Sequence, residues 1–227
     1  MIKENPKDLV PTFFNDTSNS YDDIVHWTTF GKDSLWKHKI LEQLSNEKTI
    51  LDLACGTGIL TKQIAEKLPQ AKITGVDITK NYLEKAKEKL ILYPNVSFVN
   101  NDAEKLNLGM KFDCITTSYL PKYCTAKILI KNCIEHLTVD GKIILHDFTY
   151  PKNKFVRKMW NFYFKLLYFI GFFIPNWKNV FVDLPSLIRT TNWVKEYEDT
   201  MRDYGMKIHK QDLTCGTSTI IVGTKIP

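Results

Sequence analysis

The sequence predicts an α/β fold: a seven-stranded, mostly parallel sheet with helices on both faces and an antiparallel strand at its C-terminal end. Three observations predict it. From residue 48 onward, short β-branched or apolar runs alternate with segments of helical period, the pattern of strands joined by crossover helices. The first apolar run empties into a tight turn of small residues that opens a helix. The tail 205–225 holds two strand-like runs that meet at Cys215-Gly216 with no room for a helix between them, so they pair antiparallel.

In chain order, strands are expected at 49–53, 72–76, 96–100, 112–117 and 142–147, with helices near 59–67, 80–90 and 126–136 between them. Residues 1–47, rich in aromatics and turn formers, are expected to form an N-terminal helical lid, and 48–227 the main domain. Residues 150–200 insert a long aromatic stretch before the final hairpin. The lid and the insertion are the candidates for substrate recognition, because a nucleotide-binding sheet does not by itself select what is modified.

Composition bounds the rest. With 227 residues, 44% of them hydrophobic, the chain buries one substantial core rather than two. Its formal charge of +6 is mild and comes without a lysine- or arginine-rich run, so no nucleic-acid partner is expected. The cysteines Cys55, Cys114, Cys124, Cys133 and Cys215 are scattered; without C-x-x-C or Cys/His spacing they read as free thiols, and no metal is expected. The polar N-terminus lacks an apolar export segment, which places the chain in the cytoplasm. The most apolar stretch, 162–175, carries Lys165 and Gly171 and falls short of the ~20 residues a spanning helix needs.

The strongest local signal is Ile50-Leu-Asp-Leu-Ala-Cys-Gly-Thr-Gly58, an apolar strand ending in a turn where glycines supply unusual dihedrals and let a ligand approach the backbone. Gly56 and Gly58 meet that need, and Ala54 is small enough not to spoil it. The next strand ends in Asp77, whose carboxylate can accept hydrogen bonds from both hydroxyls of a ribose; an N-cap for the following helix is the alternative. The third strand ends at Asp102-Ala103, an acid and a small residue suited to an adenine amine and ring, or to capping a turn. The loop lacks the third glycine of G-x-G-x-x-G, since Ile59, Leu60 and then Thr61 follow Gly58, which disfavours a dinucleotide.

Together with the terminal hairpin, these features resemble the Rossmann-like class I methyltransferases, and the resemblance implies S-adenosyl-L-methionine as cofactor. After the fourth strand, Ser118-Tyr-Leu-Pro-Lys-Tyr-Cys124 lacks the Asn/Asp-Pro-Pro-aromatic motif of enzymes that methylate nucleobase nitrogens. Tyr21-Asp22, Phe30-Gly31, Leu35-Trp36-Lys37, the segment 51–58, Asp147-Phe-Thr-Tyr-Pro151, Leu213-Thr-Cys-Gly216 and Gly223-Thr-Lys225 resemble the ubiquinone/menaquinone biosynthesis C-methyltransferases. Where that family has Leu-Arg-Asn, this chain has Pro121-Lys122-Tyr123, and lysine lacks arginine's planar fork.

The resemblance implies a polyprenyl quinol precursor of demethylmenaquinol type as the small lipophilic substrate. It places Asp52, Ala54, Cys55, Gly56, Thr57, Gly58, Asp77, Ile78, Asp102, Ala103 and Ser118 at the cofactor, and Tyr21, Phe30, Trp36 and Tyr119 at the substrate. Lys122 is the candidate to stabilise a phenolate, Tyr123 and His146 to accept a proton, and Asp22 to help close the pocket; each also reads as an ordinary structural residue. The aromatic stretch 155–184, with Arg157, Lys158, Lys165 and Lys178 nearby, reads either as a groove or peripheral membrane contact for an isoprenoid tail, or as a packed helix with outward lysines. A homodimer is a further option. Another small-molecule or RNA methyltransferase, and a non-catalytic protein that binds S-adenosylmethionine, stay open as alternatives.

Overall fold

Seven strands form one sheet in the order β3-β2-β1-β4-β5-β7-β6: β1 (Thr49–Leu53), β2 (Lys72–Asp77), β3 (Val96–Asn100), β4 (Phe112–Ser118), β5 (Leu137–Phe148), β6 (Lys207–Leu213) and β7 (Ser218–Thr224). The computed structural model describes residues 6–226. The pairs from β3 across to β5 are parallel, and β7 runs antiparallel to both of its neighbours. The chain leaves β1 towards β2 and later returns on the other side as β4, so the crossover direction reverses there. Open α/β sheets bind ligands at the carboxyl ends of the strands at such a point.

Helices α1 (Leu9–Phe14), α2 (Tyr21–Thr28) and α3 (Lys32–Glu42) precede β1. The crossovers hold α4 (Ile59–Lys67), α5 (Lys80–Lys89) and α6 (Ala126–Glu135), within a residue of the expected spans. The aromatic insertion becomes α7 (Lys154–Ile170) and α8 (Lys178–Thr190), followed by α9 (Trp193–Asp203). No separate helix is expected at α9 from the sequence, yet its Trp193, Tyr197 and Met201 are fully packed into the core under α6. Strand β5 also begins earlier than expected. Leu137 pairs with Phe112, and β5 carries extra residues before Lys142 meets Cys114. Thr138-Val-Asp-Gly141, outside the expected strand at 142–147, thus lies inside β5, with Asp140 in the left-handed region at φ 64°.

Side-chain alternation divides the core between the two faces of the sheet. Leu51, Ile115, Ile143 and Ile221 pack beneath α6 and α9, whereas Ile50, Cys114, Ile144 and Ile220 pack against α3 and α4. A third apolar cluster joins the lid to the insertion: Phe13 and Tyr123 meet Leu167, Trp177, Phe181 and Leu187. This cluster holds α1 over the carboxyl edge of the sheet.

Candidate active site

The turn after β1 places Ala54 (φ 53°), Gly56 (φ 57°) and Gly58 (φ 80°) in the left-handed region, which costs an L residue such as alanine about 1–2 kcal/mol. This winding directs the Gly56 N–H at Asp77 Oδ2 (2.8 Å), while Thr79 N donates to Asp77 Oδ1 (2.7 Å). The carboxylate thus ties the glycine loop to the turn before α5. It is not the N-cap, a position held by Thr79. Burial pushes the Asp77 carboxyl up, and its two backbone donors pull against that shift.

Above this turn lies a cleft of about 720 Å³ counted out to its open mouth. Ala54, Gly56, Asp77, Ile78, Asp102, Ala103, Ser118 and Tyr119 line it, as do Tyr21 and Tyr123. Lys7, Val10, Phe14 and Tyr82 also line it and are missed by the sequence reading; the first three come from a helical segment that only tertiary packing brings to the sheet. Tyr82 sits in the first turn of α5, where it reads as ordinary core. Asp102 accepts from Glu104 N (3.0 Å) and is ion-paired to Lys7 (2.5 Å), so it both caps the short turn at Ala103 and anchors the lid.

A smaller cavity adjoins the cleft and shares Tyr21, Ala54, Gly56, Ser118 and Tyr119 with it. Its remaining wall is Lys37, Asp52, Cys55, Thr57, Ile59 and Leu60. Thr61 Oγ1 donates to Asp52 Oδ2 at 2.6 Å. Burial pushes the Asp52 carboxyl from 3.8 up to about 7; the Thr61 hydrogen bond and the Lys37 charge oppose the shift and the Asp77 charge adds to it. A carboxyl whose folded pKa exceeds its unfolded one stabilises the fold in full below its unfolded pKa and loses that contribution as pH rises through the folded value. Between pH 4 and 8 the melting temperature of the wild type should therefore fall relative to that of Asp52→Asn. A difference that stayed constant or grew across paired thermal melts would contradict this assignment.

Two acidic residues of the lid hold it to the sheet. Asp22 accepts from Thr57 Oγ1 (2.6 Å) and pairs with Lys89 (2.5 Å), so it pins α2 to the glycine loop and to α5 and lines neither cavity. Asp33 pairs with Lys37 and accepts from the Tyr119 hydroxyl (2.7 Å). Tyr119, at φ 72°, stacks on Phe148 with ring centroids 4.7 Å apart. Burial pushes the phenols of Tyr21, Tyr119 and Tyr123 well above their ordinary range, so all three stay neutral.

Lys122 stands behind this wall and lines neither cavity. It is 4% exposed, and its Nζ donates to Asp147 Oδ1 (2.8 Å) and to the Tyr119 carbonyl (2.7 Å). The ammonium lies 4.4 Å from the centroid of the Tyr123 ring. Burial pulls the lysine down while Asp147 holds it up. His146 is wholly buried between Ser118 Oγ (2.8 Å from Nδ1) and Ser218 Oγ (2.7 Å from Nε2), and burial draws its pKa well below 6.5, so the ring is neutral. Ser218 Oγ also donates to the Asp147 carbonyl (3.3 Å), leaving Nε2 as the donor to Ser218 and Nδ1 as the acceptor from Ser118.

Two residues expected at the substrate lie elsewhere. Phe30 is 76% exposed and touches only the ring of Tyr163, 5.5 Å away, among the described aromatic contacts. Trp36 is buried beside His146 and Phe148 and donates from Nε1 to Thr214 Oγ1 (2.8 Å). It locks α3 to the hairpin turn and lines neither cavity. Among the described residues, no group of three or more His, Cys, Asp or Glu side chains is placed to hold a metal ion.

The glycine loop passes a steric test for a nucleoside ligand. A Cβ built at Gly56 would meet nothing nearer than Tyr82 at 3.6 Å, on the cleft wall where a ligand would run. Among solved structures, the fold is similar to the plantazolicin methyltransferase BpumL in complex with S-adenosylhomocysteine (TM-score 0.66, 14% identity, covering 98% of this chain and 95% of that one). It is also similar to the N-methyltransferase NodS of Bradyrhizobium japonicum (TM-score 0.63, 12% identity, 98% and 99% coverage). In sequence, the chain is 24% identical to the demethylmenaquinone methyltransferase of Thermotoga maritima over 94% of each protein. It is 30% identical to that of Lactococcus lactis over 75% of this chain and 71% of the relative. The model of the ubiE/COQ5 methyltransferase family matches residues 1–225, and the chain belongs to that family.

Proposed function

We propose that this methyltransferase, with S-adenosyl-L-methionine as its cofactor, methylates a ring carbon of a polyprenyl quinol precursor of demethylmenaquinol type. The observation that carries the reading is the wall of neutral rings, Tyr21, Tyr82, Tyr119, Tyr123 and Phe14, beside the glycine loop. A flat hydroquinone packs against such a wall, and neutral phenols give its oxygens hydrogen-bond partners without fixing a charge. The names of the relatives from Thermotoga maritima and Lactococcus lactis support the same substrate class.

The cofactor supplies a methyl group made electrophilic by a sulfonium. The chain supplies alignment, which accounts for most of what a site can add to such a transfer. In this reading Asp77 takes the ribose hydroxyls, Ala103 and Asp102 face the adenine, and the 54–58 loop with Ile78 approaches by backbone. Ser118, oriented by His146, presents its oxygen to the reacting centre. Lys122 acts through Tyr119 and Tyr123 as a positioning residue, placing a positive charge behind the rings against which phenolate character develops. Burial disfavours the charged forms of Tyr123 and His146, so the substrate's proton passes to water at the cleft mouth.

The same reading puts α7 at a membrane surface, where a polyprenyl substrate resides. Phe155, Met159, Phe162, Leu166 and Phe169 are all exposed at alternating steps of four and three, a stripe down one face of the helix. Lys154, Arg157, Lys158 and Lys165 accompany it and α7 carries no carboxylate, a charge pattern that suits an anionic bilayer and repels a second copy across this face. No helix among the described residues is long and apolar enough to cross a membrane. Co-sedimentation with vesicles containing anionic lipid is expected for the wild type and should be abolished in Phe162→Asp/Phe169→Asp. Wild-type protein left in the supernatant would remove the membrane from the proposal.

Mass spectrometry of lipid extracts from cells with and without the gene tests the function itself. A quinone lacking one ring methyl should accumulate only in its absence, and an unchanged quinone pool would overturn the reading.

A further inference from the structure

The turn between α2 and α3 displays two large aromatic side chains that the cleft chemistry leaves unused. Trp27 is 75% exposed and Phe30 76% exposed; three residues apart at the end of one helix, they are neighbours on its surface. Phe30 also holds a backbone φ of 51°, in the left-handed region that suits glycine and that a bulky residue rarely adopts. Its N–H closes the end of α2 on the Trp27 carbonyl at 3.1 Å, a bond that the backbone makes whatever the side chain. The fold thus keeps a strained aromatic residue at the surface without burying its ring, and local violations of this kind gather at functional positions.

The surroundings say what the pair meets. The Phe30 ring lies 5.5 Å from that of Tyr163, and the Tyr163 hydroxyl donates to the Thr28 carbonyl, so the turn is fastened to the middle of α7. Tyr163 directly follows Phe162 and borders the exposed apolar stripe on one side; Lys154, Lys158 and Lys165 directly precede Phe155, Met159 and Leu166 and border it on the other, because each residue advances the helix by more than a quarter turn. His26 and Lys32 stand exposed beside the two aromatics. The carboxylates of α2, Asp22 and Asp23, sit in its first turn at the opposite end, and Asp33 is buried against Lys37. A bilayer pressed on the stripe therefore meets cations on one flank and Trp27 and Phe30 on the other, the pattern of an interfacial anchor for anionic lipid. From this juxtaposition we infer that the α2–α3 turn is a second membrane anchor, with Trp27 and Phe30 entering the headgroup boundary of an anionic bilayer beside α7. The inference rests on the membrane reading of α7 and extends it to the lid. Asp22, at the other end of α2, is tied to the glycine loop and to Lys89, so the lid spans from the bilayer to the cofactor loop.

Tryptophan fluorescence of the full chain on vesicles of equimolar phosphatidylcholine and phosphatidylglycerol, with acyl chains brominated near the glycerol, tests the inference without turnover. Trp36, Trp160, Trp177 and Trp193 are buried, which leaves Trp27 as the tryptophan open to lipid. Brominated lipid should quench the wild-type emission, and Trp27→Phe should lose that quenching while it still co-sediments. Phe30→Gly should bind the vesicles roughly 10- to 100-fold more weakly, the range for burying one large apolar side chain. It should melt no lower than the wild type, because glycine relieves the left-handed strain, so weaker binding cannot be laid to unfolding. Vesicle binding without quenching that depends on Trp27, or Phe30→Gly binding as tightly as the wild type, would sink the inference and leave the membrane reading of α7 standing. A lipid-free wild type that dimerises, with Phe30→Gly monomeric, would give the patch to a second copy and overturn it as well. Wild-type protein that stays in the supernatant would overturn both the α7 reading and the second anchor.

Discussion

Lys122→Met should lower the melting temperature more than any other single substitution at the site, and combining it with Asp147→Leu should restore most of the loss. The single change leaves Asp147, which is 0% exposed, as a buried carboxylate without its counter-charge. Breaking a buried pair from one side costs about 3–5 kcal/mol, whereas replacing both members by apolar residues is often neutral. In a chain of this length each kcal/mol is worth roughly 2–4 °C, so a fall of about 6–20 °C is expected in differential scanning calorimetry. Backbone donors from Lys122 and Phe148 soften the penalty without removing it. The double variant also separates stability from chemistry. If Lys122 aligns the aromatic wall, the restored protein should keep its KM and lose kcat; a double variant with wild-type kcat would assign the lysine to the fold alone. A Lys122→Met protein melting like the wild type would contradict the buried pair itself.

The second large effect is expected at Gly58. A Cβ there would sit 2.7 Å from Leu90 Cδ1 and 3.1 Å from Ala86 Cβ, at a φ of +80°. Two costs add in Gly58→Ala: about 1–2 kcal/mol for an L residue in the left-handed region, and about 1–3 kcal/mol for overpacking between α4 and α5. Gly205→Ala is the control, because it has a similar φ of +70° but nothing within 4 Å of its Cβ, so it bears the first cost alone. Paired thermal melts should show Gly58→Ala falling clearly further. Since the clash pushes the start of α4 away from α5, affinity for S-adenosylhomocysteine should drop as well. Equal melting temperatures for the two variants would refute the packing argument.

These two residues also mark how far the sequence could be read. Gly58 announces itself, because the strand, the small-residue turn and the helix that follow one another at 50–67 are local, and local order is what periodicity and turn chemistry report. The same holds for Asp77 and for the bounds of β1 to β4 and α4 to α6. Lys122 does not announce itself. Its partner Asp147 lies on the next strand, and only the β4–β5 register, which sets Ser118 opposite His146, shows that the two charges are buried together. Trp36 and Phe30 belong to the lid pattern, yet the fold sends one against the hairpin turn and the other to the surface. Val10 and Phe14 reach the cleft through packing in the cluster of α8 and Tyr123, Lys7 through its ion pairs to Asp102 and Glu104, and no short-range signal encodes that.

The placement of β7 has a consequence for how the molecule is made. It lies between β5 and β6 and pairs with residues 142–148 of the first and with the whole of the second, yet it is the last of the seven strands to leave the ribosome. Until it arrives, β5 shows a bare edge, β6 has no neighbour, and Ile143, Ile144 and Leu145, fully buried at the end, lack the strand that flanks them. Such an unpaired apolar edge invites pairing with another chain. Synthesis therefore leaves the β5 side of this sheet open longest, and the nascent protein is most exposed to self-association in the interval between the emergence of residue 148 and that of residue 218.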